Sequence, residues 1–131
     1  MDLTQLDPDE DLARYFCEKN KYKHSDQTAR YQLFMPPRND LRLSVYRIIG
    51  LIEHEIWEMG NQVFKNRSSR AIGRGDLKVH IVLKNELFID PDNNPNRHAS
   101  IINWPEDTDA QRLKAMDLAR DTIIYLNDSE E

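Results

Sequence analysis

The chain has 131 residues, room for one domain, because a second core would be smaller than most cores that fold alone. Its 39% hydrophobic and 31% charged residues mark a globular chain rather than a disordered one, and its longest apolar runs fall far short of the roughly 20 residues that span a bilayer. The net charge of −5 argues against generic nucleic-acid binding, yet residues 12–104 alone hold fifteen Lys and Arg against ten Asp and Glu, between acidic ends.

Cys17 is the single cysteine, which excludes an internal disulfide framework and a cysteine-based zinc site. The acidic start Met1-Asp2-Leu3-Thr4 has no basic region followed by an apolar stretch. A reducing cytoplasm is therefore the expected location, and no membrane association is expected.

Asp7-Pro8-Asp9-Glu10 reads as a helix start, with Asp7 as N-cap and Pro8 in the first helical position. Leu12, Tyr15 and Phe16 follow at helical spacing and predict a helix over residues 8–19, with Cys17 packed beside Phe16. Residues 19–30 are polar and unpatterned, so residues 1–29 read as a helical arm and linker, 30–126 as a single core domain and 127–131 as an acidic tail.

The period then changes to two. Tyr31, Leu33 and Met35, the turn Pro36-Pro37-Arg38-Asn39-Asp40, and Leu41, Leu43, Val45 and Arg47 predict a β-hairpin. Ile52, Ile56, Met59 and Val63 form an apolar stripe with Glu53 and Glu55 in the first turn, predicting a helix over 52–65. Residues 66–76, rich in Arg, Ser and Gly, read as a loop. Leu77, Val79, Ile81 and Leu83 alternate and predict a strand over 77–84, with a possible further strand at Glu86–Ile89.

Asp90-Pro91-Asp92-Asn93-Asn94-Pro95-Asn96 breaks the pattern, and Ala99–Ile102 reads as another strand. Pro105 opens a terminal helix, with Thr108 and Gln111 offering an alternative capping box, and Leu113, Met116, Ala119, Ile123 and Leu126 lining its buried face. Trp104 is placed to anchor that helix. The expected fold is α+β: a small antiparallel or mixed sheet of about four or five strands, with two or three helices packed mainly on one face.

No motif specifies a chemistry. His54-Glu55-x-x-Glu58 lacks the second histidine of a metalloprotease helix and lies opposite the apolar stripe, so it reads as a solvated face; no metal or cofactor site is expected. Arg74-Gly75-Asp76 is a chance tripeptide. Ser44, Ser68 and Ser69 have no nucleophile-elbow context. The aromatics between Tyr15 and Phe34 lie among basic residues but match no RNA-recognition pattern.

The densest basic stretch runs from Lys65 to Lys78. Within it Arg67, Arg70, Gly73, Arg74 and Gly75 suit an anion-binding backbone nest with cationic flanks. Arg47, Arg97 and His98 extend this set, with His98 as the proton-transfer candidate.

Two functions from different classes follow. The first is a non-enzymatic accessory module binding another protein, favoured because no catalytic constellation is complete. The second is a phosphate-directed protein, either a nucleic-acid binder or a small phosphoester enzyme, built on residues 65–78 with Arg47, Arg97 and His98. Oligomeric state has no signature in the sequence.

Overall fold

The computed structural model describes residues 6–67 and 69–127; residues 1–5 of the expected arm, Ser68 and the tail residues 128–131 lie outside them. The chain forms strands β1 (Asp11–Phe16), β2 (Tyr22–Lys23), β3 (Thr28–Ala29) and β4 (Leu43–Arg47), then helix α1 (Glu53–Val63). Strand β5 (Gly73–Lys78), helix α2 (Val79–Lys84), strands β6 (Phe88–Asp90) and β7 (His98–Ile102), helix α3 (Thr108–Arg120) and strand β8 (Ile123–Leu126) complete it. Six strands make one antiparallel sheet in the order β6-β7-β4-β1-β5-β8, while β2 and β3 pair separately. The mixed α+β class holds, with six strands in the main sheet rather than four or five.

The expected N-terminal helix is a strand. β1 lies mid-sheet between β4 and β5. Leu12 and Phe16 enter the larger core, while Ala13 and Tyr15 enter the smaller one on the opposite face. A strand buried on both faces loses its alternation and imitates helical spacing. Asp7-Pro8-Asp9-Glu10 is a tight turn: the Glu10 N–H donates to the Asp7 carbonyl, and the Asp9 N–H donates to the Asp7 carboxylate at 2.9 Å. A boundary after residue 29 would therefore cut β1 away from both its sheet partners.

The larger core takes α2 and α3 together with the 3₁₀ turn Tyr31–Phe34, and the smaller takes α1 through Ile56. Helices thus cover both faces, two on one and one on the other. The expected hairpin does not form: Leu33 and Phe34 are buried from the 3₁₀ turn, and β4 pairs with β1 and β7. The predicted 52–65 helix is α1.

Residues 73–78, expected within a loop and the start of the next strand, form β5, the other inner strand. Its glycines are required by close approach. A Cβ on Gly73 would lie 2.3 Å from the Phe16 ring, and one on Gly75 would lie 2.9 Å from Leu33. The predicted 77–84 strand is instead the end of β5 followed by α2, which buries Val79, Ile81 and Val82. The possible 86–89 strand corresponds to β6 and the predicted 99–102 strand to β7.

The terminal helix is capped by Asp107, whose carboxylate accepts the Ala110 N–H at 2.9 Å. It ends at Arg120; Ile123–Leu126 returns as the edge strand β8 beside β5. Ala115, Leu118 and Ala119 bury its inner face, leaving the expected core residues Leu113 and Met116 exposed. Trp104 joins the same core and donates its indole N–H to the Ile101 carbonyl. No helix among the described residues is long and apolar enough to cross a membrane.

Candidate functional site

The residues singled out from the sequence are dispersed. Arg74 faces the α1 side of β5 and is 2% exposed. Its Nε donates to Asp76 at 3.0 Å, and its two terminal nitrogens donate to the two oxygens of Glu53 at 3.1 and 3.0 Å. Trp57 and Tyr125 flank the guanidinium with ring centroids 4.8 and 4.7 Å away. Fully engaged carboxylates and rings make this arginine an internal strut. Burial pushes the Asp76 carboxyl up to about 6 against the pull of Arg74.

Arg47 pairs with the buried Glu10, and Arg97, held at φ 73, donates to the Arg47 and Ile49 carbonyls. Arg70 is exposed, and Gly73 and Gly75 carry packed side chains over β5. Strands β4 and β1 separate the strand of Arg74 from that of His98, a gap of roughly 14 Å at usual strand spacing. The nest with converging Arg47, Arg74 and His98 is not assembled.

His98 stands at the centre of a different arrangement. It opens β7 directly opposite Tyr46 of β4, so Ser44 is its diagonal neighbour on the same sheet face. Ser44 Oγ lies 3.0 Å from His98 Nε2, and Asp92 Oδ1 lies 2.7 Å from His98 Nδ1. With Nδ1–H donated to the carboxylate, Nε2 is left to accept the Ser44 hydroxyl proton. The Tyr46 ring meets the imidazole edge-on at 5.3 Å.

The loop after β6 folds back to deliver Asp92. The Asn93 N–H donates to the His98 carbonyl, the His98 N–H to the Pro95 carbonyl, and the Arg97 N–H to the Asn93 side chain at 2.7 Å. Asn93 and Arg97 both hold positive φ, 56° and 73°, and so store strain in this return. Although burial opposes it, hydrogen bonds from His98 and from the Asn94 N–H, with the nearby Arg42 charge, hold the Asp92 carboxyl below the usual range. Arg42 also bonds Asp90 at 2.6 Å; the other Asp90 oxygen is buried without a partner among the described residues.

Ser44 and Tyr46 also line a cavity of about 460 Å³ with Arg14, Cys17, Lys21 and Arg67. It opens where β1 and β4 part, since their pairing stops at Ala13 and Tyr46. Arg14 fills the split: its Nε donates to the Leu33 carbonyl and an Nη to the Ser44 carbonyl, both at 2.9 Å. Neither Arg14 nor Arg67 has a carboxylate partner among the described residues; Arg67 lies over the Phe64 ring, and Lys21 pairs with Glu18 at the rim. Burial, reinforced by Arg67, lowers the Arg14 pKa to about 10, so it stays a cation at neutral pH. Burial also raises the Tyr46 phenol.

Of the predicted site residues, His98 belongs to the relay and Arg67 to the cavity; Ser44, Asp92, Arg14 and Tyr46 were not read as site residues. His54, Glu55 and Glu58 are exposed on α1, and no group of three or more potential metal-ligating side chains forms among the described residues. No protein-family model, no curated protein and no solved structure matches the chain.

Proposed function

We propose that the protein is phosphate-directed and that its site is the cavity between β1 and β4, taking a small phosphate-bearing molecule. One observation carries the reading: Arg14 is a half-buried cation that spends two N–H groups on backbone carbonyls and meets no carboxylate among the described residues, while Arg67 lines the same cavity. Buried charges are stable when paired, so an anionic guest completes this one. Arginine recognises phosphate oxygens through its planar fork of donors, and the Ser44 and Tyr46 side chains supply neutral polar contacts. The volume suits a small molecule rather than the length of a nucleic-acid backbone.

The test is calorimetric titration with inorganic phosphate, a nucleoside monophosphate and the matching uncharged nucleoside. Both phosphates bind and the nucleoside does not; exposed Arg67→Ala weakens binding about tenfold or more, the scale of one charge-assisted hydrogen bond. If neither phosphate binds at about 10 mM, the reading fails, and an accessory module that acts by binding another protein takes its place.

A further inference from the structure

We propose that Ser44 is a nucleophile, activated by His98 and Asp92, that attacks the phosphorus of a phosphate ester held in the adjoining cavity; this rests on the phosphate reading above. The geometry has the order of a serine–histidine–carboxylate relay: 3.0 Å from Oγ to Nε2 and 2.7 Å from Nδ1 to the carboxylate. The His98 side chain is only 12% exposed while Ser44 is exposed, so the base is sheltered and the attacking atom is accessible. The Arg14 side chain leaves β1 on the face of Leu12 and Phe16, opposite the Ser44 hydroxyl, but its guanidinium bonds the Ser44 carbonyl in the gap between the strands and lines the same cavity. It is placed to hold the nonbridging oxygens where charge develops during transfer.

In the first step the Oγ–P bond forms as the bond from phosphorus to the leaving alcohol breaks. The Oγ proton passes to His98 Nε2 and then to the departing oxygen, giving a free alcohol and a phosphoserine. In the second step a water oxygen bonds to phosphorus and the P–Oγ bond breaks. One water proton returns through His98 to Oγ, so the sum is ester plus water giving alcohol plus phosphate. Asp92 stays ionised throughout; it is a positioning residue that fixes the imidazole tautomer and steadies the imidazolium. Asp92 is itself fixed by the Asn94 N–H and the neighbouring Arg42.

The experiment uses the full chain with p-nitrophenyl phosphate, bis(p-nitrophenyl) phosphate and p-nitrophenyl acetate, with phosphate binding measured in parallel. The phosphate esters release p-nitrophenol, and acid-quenched turnover mixtures carry a phosphoryl group on the Ser44 peptide. Ser44→Ala and His98→Gln each lower the rate roughly 10²–10⁴-fold, while urea melts of Ser44→Ala are unchanged and its phosphate affinity falls by no more than about tenfold, the loss of one neutral contact. Asp92→Asn lowers kcat while KM stays constant, and Asp92→Glu restores part of it. Phosphate binding without turnover or adduct, or turnover that survives in Ser44→Ala, overturns the nucleophile and leaves the binding site standing. Ser44-dependent cleavage of the acetate alone overturns the phosphorus centre. Failure to bind phosphate removes the reading beneath both.

Discussion

Replacing Asp76 by Asn isolates one buried titration. Asp76 is 9% exposed, its ion-pair partner is Arg74, and burial is the largest influence on its carboxyl, raising it from 3.8 to about 6; the charges of Asp11 and Glu53 push the same way. Between those values the folded chain keeps a proton that the unfolded chain has released. Stability therefore falls as pH rises through the window, being greatest below about 4 and lost by the time pH passes about 6. A gap of about two pH units corresponds to about 3 kcal/mol.

Carboxylates whose pKa is lowered, such as Asp92 and Glu53, act in the opposite sense, losing stability as pH falls through their folded values. Asp92 lies across the sheet and cancels in a difference curve. Urea melts of wild type and Asp76→Asn from pH 4 to 8 at fixed ionic strength supply that curve. Wild type minus variant falls by about 3 kcal/mol from pH 4 to 7 and then levels. A difference that stays flat within about 0.5 kcal/mol, or rises with pH, would refute the claim that burial outweighs Arg74 at this carboxyl.

Ile56→Ala, which empties the centre of the smaller core, costs about 2–5 kcal/mol in the same melts, and a loss below about 0.5 kcal/mol would make α1 peripheral. A chain beginning near Thr28 lacks β1 and shows no cooperative unfolding by circular dichroism, because β4 and β5 lose the strand between them; a sharp transition would mean the sheet closes without it.

The legible elements were those with one buried face or strong punctuation. Of the α1 stripe, Ile56 is buried and Met59 partly buried against the sheet while Ile52 and Val63 are exposed, and β7 follows a dense cluster of Asp, Asn and Pro. The two misread segments at mid-sheet share a cause. β1 buries Leu12 and Phe16 on one side and Ala13 and Tyr15 on the other, so no period of two survives. β5 spells Gly-Arg-Gly-Asp-Leu-Lys, and local composition says loop. Its glycines make room for Phe16, Leu33 and Thr122, and its charges neutralise each other inside; both facts are tertiary. The same holds for Ile123–Leu126, where continued apolar spacing hid the change from α3 to β8.

The site escaped for a related reason. Asp92 and His98 are six residues apart, but Ser44 reaches them only because β4 and β7 pair in the register that sets Tyr46 against His98. A slip of one residue would turn Ser44 to the opposite face and end the relay. The cavity likewise depends on β1 leaving β4 after Ala13, a divergence whose unpaired Ser44 carbonyl is satisfied by Arg14. Helix α1 completes the arrangement by what it leaves bare. It covers Ala13 and Tyr15 of β1 and, through Trp57, Arg74 of β5, yet leaves Ser44 exposed. Two neighbouring arginines of opposite sheet faces thereby differ: Arg74, saturated by carboxylates and rings, lies under the helix, and Arg14, on the face of Leu12 and Phe16, has no carboxylate among the described residues and bonds the backbone of the open serine. The basic stretch between Lys65 and Lys78 contributes to both places: Arg74 to the saturated cluster, and Arg67 to the cavity beside Arg14.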